Sequence, residues 1–201
     1  MKTKAPIPVN QLTQNTLPLI TAYFEFSHLK QLYRQGWLRK NIPEARCESV
    51  AEHTFGVAVL TMMLAEAYFP ELDVLKTLRM SLIHDFGEIY AGDFTPQDGL
   101  SPGEKHQLER ESIIQIFGRF PFGENYLHLW EEFERGASPE AQFVRQIDKL
   151  EMALQASVYE HQHLAELPEF FQSAGTEIAS PALHAILEAV QALTPPPPTL
   201  R

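Results

Sequence analysis

Apolar side chains recur along this chain at intervals of three and four residues and almost nowhere at intervals of two. Leu75, Leu78, Leu82, Phe86 and Ile89 form one such stripe, and Phe143, Ile147, Leu150, Leu154 and Val158 form another. That spacing places the apolar groups on one face of a helix, because an α-helix turns once in about 3.6 residues. Alternating β-branched runs bounded by tight-turn dipeptides, the mark of strands, are nearly absent. The pattern predicts helices over about 16–34, 49–68, 72–89, 102–118, 123–135, 139–164 and 181–193, with a short turn near Pro168–Ser173. Several starts carry their own signals. Ser49 is followed three residues on by Glu52, the capping-box spacing. Ser101, Ser138 and Ser180 each precede a proline, which is favoured in the first helical position. The fold class expected is all-α, a compact multi-helix bundle.

The segment from about 49 is apolar on nearly every side, with Val50, Phe55, Val57, Val59, Leu60, Met62, Met63 and Leu64. A helix of that kind is expected in the middle of a bundle. His53 shares a stripe with Val50, Val57, Leu60 and Leu64. Taken alone, a histidine there reads most simply as a core residue bonded to a backbone carbonyl.

A second segment, SLIHDFGEIYAGD (81–93), changes that picture. On a helical wheel His84 and Asp85 straddle an arc about 100° wide, with Glu88 between them one turn on and Ser81 one turn back. Crowding an imidazole and two carboxylates into a poorly solvated place is unfavourable. A divalent cation resolves the conflict, and these donors suit Mn, Fe, Co, Ni, Zn or Mg. Alone, the stretch also reads as a charged helix end facing water. Asp148 lies off the centre of its helix stripe, near Val144 and Gln155, so periodicity does not bury it; by itself it reads as a surface acid.

Composition narrows the function classes. The chain has 201 residues, enough for one domain with a substantial core, and a formal net charge of −10. Such an acidic chain is a poor partner for nucleic acid, whose binding rests on Lys and Arg at the phosphates. The single cysteine, Cys47, cannot form an internal disulfide, and a reducing, cytoplasmic setting is expected. No apolar run of about 18 residues is evident, so no membrane span is expected. The whole chain reads as one domain with its core over about 16–193. Roughly the first ten residues and the proline-rich C-terminal tail are expected to be loose.

One His, then His-Asp about thirty residues later, then a distant Asp, each on a helix, resembles the HD-domain metal-dependent phosphohydrolases. The likeness extends through LKQLYRQGWLRK, ESVAEH, HDFGEIYAGD, SPGEKHQLERE, LWEEFE and FVRQIDKLEMALQA, in order, from about residue 25 to about 175. These segments look like the branch of the bacterial 5′-deoxynucleotidases and the HD-domain-containing protein 2 group. The resemblance implies a helical bundle holding one divalent metal ion on His53, His84, Asp85 and Asp148. It implies hydrolysis of nucleoside 5′-monophosphates, with Glu88 as proton acceptor and Asp93 assisting proton transfer or holding a substrate hydroxyl. Arg34 and Arg46 are the candidates for phosphate, with Arg39 and Lys40 less well matched. Trp37 resembles a tryptophan that abuts the sugar and disfavours a 2′-hydroxyl, although its spacing from Arg34 differs from that of the bacterial enzymes; it also reads as a packing anchor. Position 88 is Glu where cyclic-dinucleotide phosphodiesterases of the superfamily carry lysine. A homodimer is expected from the same likeness. A non-catalytic, metal-dependent nucleotide sensor and a phosphatase or phosphodiesterase for another small phosphoester stay open as alternatives.

Overall fold

Short polar side chains start four of the helices. Ser49 Oγ accepts the Glu52 N–H, and Glu52 Oε2 accepts the Ser49 N–H in return, so two orphan donors are satisfied reciprocally. Ser101 and Glu104 repeat the arrangement, while Asp73 and Ser138 accept from Lys76 and Ala141. Ser180 makes no such bond, and the proline after it does the work of starting that helix.

The computed structural model describes residues 1–5 and 16–193. Its helices are α1 (Pro18–Ser27), α2 (Gln35–Arg39), α3 (Val50–Tyr68), α4 (Val74–Ile83), α5 (Glu88–Ala91), α6 (Pro102–Phe117), α7 (Gly123–Arg135), α8 (Pro139–His161), α9 (Pro168–Glu177) and α10 (Pro181–Gln191), with single 3₁₀ turns at His28–Lys30 and Pro96–Asp98. The only extended pairings among the described residues are isolated bridges, Thr3 to Leu32 and Tyr33 to Ser49. The all-α class is therefore as expected.

The centre of the bundle is α8, not α3. Helix α8 packs against α3, α4, α7, α9 and α10, and Phe143, Val144, Ile147, Leu150, Ala153 and Ala156 are all buried. Helix α3 buries Val50, His53, Val57 and Ala65 but exposes Phe55, Met62 and Met63. By length and composition α3 is apolar enough to cross a membrane, contrary to expectation. Its buried face packs against α4 and α8.

Other boundaries differ from the sequence reading, and the helix expected over 16–34 ends at Ser27, with the unexpected short helix α2 following the 3₁₀ turn. The helix expected over 72–89 stops at Ile83, and α5 begins only at Glu88. Between them the backbone tightens into i→i+3 bonds, Phe86 to Ile83 and Glu88 to Asp85. Side chains take the carbonyls this releases: His84 Nδ1 donates to Ser81 O at 2.6 Å, and Trp130 Nε1 donates to His84 O at 3.1 Å. Gly87 is needed here, because a Cβ would lie 2.6 Å from Glu109 Cβ on α6. The turn expected near Pro168–Ser173 is a ten-residue helix, α9. Of the N-terminal residues expected to be loose, 1–5 are described and paired: Lys4 N–H donates to Gln31 O and Lys2 N–H to Gln35 Oε1. The proline-rich tail lies outside the described residues.

Candidate metal centre

Three elements bring four side chains to one point. His53 comes from the first turns of α3, His84 and Asp85 from the turn after α4, and Asp148 from the middle of α8. His53 Nε2 lies 3.0 Å from Asp148 Oδ1 and 3.7 Å from Asp85 Oδ2, and His84 Nε2 lies 3.3 Å from Asp85 Oδ2. Ligand atoms of His53, His84 and Asp148 all fall within 4.8 Å of one another. The two imidazoles are almost wholly buried, 1% and 4% exposed. Asp148, which periodicity left unplaced, points inward because both faces of α8 are covered.

The donor set fits a cation. His84 Nε2, Asp85 Oδ2 and Glu88 Oε2 are buried and have no hydrogen-bond partner among the described residues, a costly state for polar atoms. The bond from His84 Nδ1 to Ser81 O leaves the Nε2 lone pair facing the cluster. Charge already concentrates on His53. Burial and Arg34 oppose its protonation, but hydrogen bonds to Asp148 and Glu151 outweigh them and raise it to about 10. Asp148 is held well below the usual carboxylate range: burial works against this, and Lys149 and His53 prevail. Asp85 is also lowered, against burial, by His84, Arg34 and His53. The cluster stabilises positive charge at its centre, as a cation-binding site must.

The sequence reading missed Glu151. Its Oε2 sits 2.5 Å from His53 Nδ1, which orients the ring and leaves Nε2 for the cluster. One helical turn from Asp148 on α8, it was readable only by knowing that α8 faces α3. Gly56 makes the approach possible, because a Cβ there would lie 2.4 Å from Glu151 Oε1. On propensity alone, Gly56→Ala should stabilise α3 by about 1 kcal/mol. The expected result is that it displaces Glu151 and weakens divalent-metal binding about 10-fold or more. Calorimetric metal titration, beside thermal unfolding of the metal-free protein, measures both effects. Unaltered metal affinity would show that Glu151 does not orient His53.

The other expected residues divide. Arg34 Nη1 lies 3.1 Å from Asp93 Oδ1 and 3.9 Å from both Asp85 Oδ2 and Glu88 Oε1. Asp93 is anchored on both oxygens, since Oδ2 accepts the Gln35 N–H; it positions Arg34 rather than standing free. Glu88 is 4% exposed, and burial, with Asp85 and Asp93 beside it, pushes its carboxyl well above the usual range. Trp37 is buried, packs on Phe170 with the rings tilted and centroids 4.2 Å apart, and donates Nε1–H to Glu48 Oε1 at 2.8 Å. Arg46 is not brought to the cluster. It is exposed, bonds Gln162, and lines a separate hollow with Lys4, Tyr33 and Glu48.

Two cavities open onto the cluster. One, of about 390 Å³, has Trp37, Phe94, Met152 and Phe170 among its walls, with Arg34, Glu88 and Asp93. The other, of about 430 Å³, is lined by His84, Glu109, Gln142, Arg145 and Gln146. They meet at Asp85, Lys105, Asp148 and Lys149.

Comparison with known proteins decides the family. An HD-domain family model matches residues 26–191. The chain is an HD-domain protein. Among HD-domain relatives, human 5′-deoxynucleotidase HDDC2 is 34% identical over 168 residues, covering 82% of this chain and 80% of its own. The Dictyostelium discoideum 5′-deoxynucleotidase HDDC2 is 38% identical, covering 75% and 87%. A solved structure of a predicted metal-dependent phosphohydrolase from Magnetospirillum magnetotacticum superposes with a TM-score of 0.67 at 26% identity, covering 87% of this chain and 89% of that one. This HD domain is accordingly a metal-dependent phosphohydrolase with a His/Asp cluster suited to its ion.

Proposed function

We propose that the chain hydrolyses nucleoside 5′-monophosphates, deoxyribonucleotides foremost, to nucleoside and inorganic phosphate. The observation that carries this reading is the juxtaposition of the His53/His84/Asp85/Asp148 cluster with buried Glu88, at the floor of a cavity walled by Trp37 and Phe170.

His53, His84, Asp85 and Asp148 would hold one divalent ion, which supplies a more acidic water and charge stabilisation at a phosphoryl oxygen. Glu88 accepts a proton from the attacking water as its oxygen bonds to phosphorus. The bond from phosphorus to the 5′-oxygen breaks, and that oxygen takes a proton from solvent and leaves as the nucleoside hydroxyl, while Glu88 returns its own proton to solvent. Arg34 sits against Asp85, Glu88 and Asp93, where its guanidinium offsets the repulsion among three carboxylates. Arg46, outside the cluster, has no part in this reading.

Trp37 supports a deoxyribose preference. Its single donor is taken by Glu48, and Phe170 and Tyr159 hold its ring on two sides. A fixed indole with no donor left cannot compensate a desolvated 2′-hydroxyl. A cytoplasmic setting belongs to the same reading through the lone buried Cys47, and a homodimer through the family likeness.

The test is a phosphate-release screen of dAMP, dGMP, dCMP, TMP and the ribonucleotides with Mn, Co, Fe, Ni, Zn and Mg. Phosphate should appear with deoxyribonucleotides ahead of ribonucleotides. No release from any nucleotide by metal-bound protein rejects the proposal, and a nucleotide-induced thermal shift without release would favour a sensor.

A further inference from the structure

We propose that Lys105 and Lys149 bind the phosphate group of the substrate, and the inorganic phosphate released from it, at the junction of the two cavities. This rests on the phosphomonoesterase reading above and adds two binding residues to those that the resemblance implies.

The first argument is charge. Asp85, Glu88, Asp93 and Asp148 place four carboxyl groups around the centre, and the guanidinium of Arg34 already lies against three of them. Arg34 and one divalent ion give three positive charges. Those positive charges already face the carboxyl groups of the centre, which leaves little to hold a phosphate dianion. Two further cations supply it.

The second argument is placement. Lys105, from the first turn of α6, and Lys149, beside Asp148 on α8, are the two lysines that line both cavities where these meet at Asp85 and Asp148. Lys149 Nζ lies 2.9 Å from Asp148 Oδ2, and Lys105 Nζ lies 3.3 Å from Glu109 Oε1. Each ammonium has three donors, and the side chains remain 35% and 42% exposed, so donors are left over for a ligand. Glu109 offsets Lys105 only in part, because burial pushes its carboxyl up to about 7. Each of the other basic side chains lines at most one of the two cavities. Arg39 pairs with Asp98 and Lys40 with Glu169, and Arg46 bonds Gln162.

The experiment titrates inorganic phosphate into the Mn-loaded full chain by calorimetry, for the parent protein, Lys105→Gln, Lys149→Gln, the double variant and both Lys→Arg variants. Manganese affinity is titrated alongside. Each glutamine should weaken phosphate binding about tenfold, the loss of one charge-assisted bond, and the double variant more than either. Manganese affinity should hold, and arginine should restore most of the binding. KM for a nucleotide should rise with less change in kcat. Phosphate affinity unchanged in the double variant overturns the proposal. So does a loss that merely follows a matching loss of manganese affinity, since Lys149 would then act only by steadying Asp148. Because phosphate binding is read without turnover, the result stands apart from whether nucleotides are the substrate.

Discussion

Asp148→Ala will cost the protein its metal and its activity together. His53 Nε2 faces Asp148 Oδ1 at 3.0 Å, and Asp85 Oδ2 is 3.7 Å from the same nitrogen. Removing Asp148 deletes one of two carboxylates and leaves the other flanked by Arg34 and two imidazoles. Loss of an outer partner of a ligand costs about 10–100-fold in metal affinity; loss of a ligand should exceed the top of that range. Metal titration should show manganese affinity down by more than about 100-fold, with phosphate release at background. The fold should survive, because Asp148 occupies one position on a helix whose packing comes from Phe143, Ile147, Leu150 and Ala153. A variant that folds and still binds manganese tightly would remove Asp148 from the ligand set and leave the contribution of α8 to the site without support.

The same residue shows where the sequence stops being legible. The longer helices followed from apolar spacing and caps, since both are local: the box at Ser49 and Glu52 is readable in four residues; the short α2, α5 and α9 did not. His53 was placed correctly because its own stripe is buried. Asp148 and Glu151 were not, because α8 is covered on more than one face, and a periodic pattern reports a single buried face. The central position was assigned to α3 on hydrophobicity, yet Phe55 and Met63 are 70% and 57% exposed. Composition says how greasy a helix is and not how many neighbours cover it. The wheel that brought His84, Asp85 and Glu88 together assumed a continuous helix. They do converge, but through a turn held by Trp130 and Ser81. Arg46 was singled out for its proximity to a motif in sequence, and its side chain bonds Gln162, because sequence proximity does not fix the direction of a loop side chain.

Glu88→Gln separates chemistry from metal binding. Glutamine keeps the shape and one acceptor oxygen near Arg34 Nη1 but cannot take up a proton. Glu88 Oε2 has no hydrogen-bond partner among the described residues, and its carboxyl is pushed upward by burial and by Asp85 and Asp93. A carboxyl whose surroundings favour the neutral form is a stronger base than one in water, which suits a proton acceptor. Loss of such a group typically costs about 10²–10⁴ in rate. The expected result is a fall in kcat of that order, with manganese affinity and phosphate affinity within a few-fold of the parent. A ligand role predicts the opposite pattern, with metal affinity falling and activity partly recovered at high metal concentration. The two outcomes are read from one metal titration and one rate measurement on the same sample. Only the first is consistent with a side chain that stands beside the cluster and serves the attacking water.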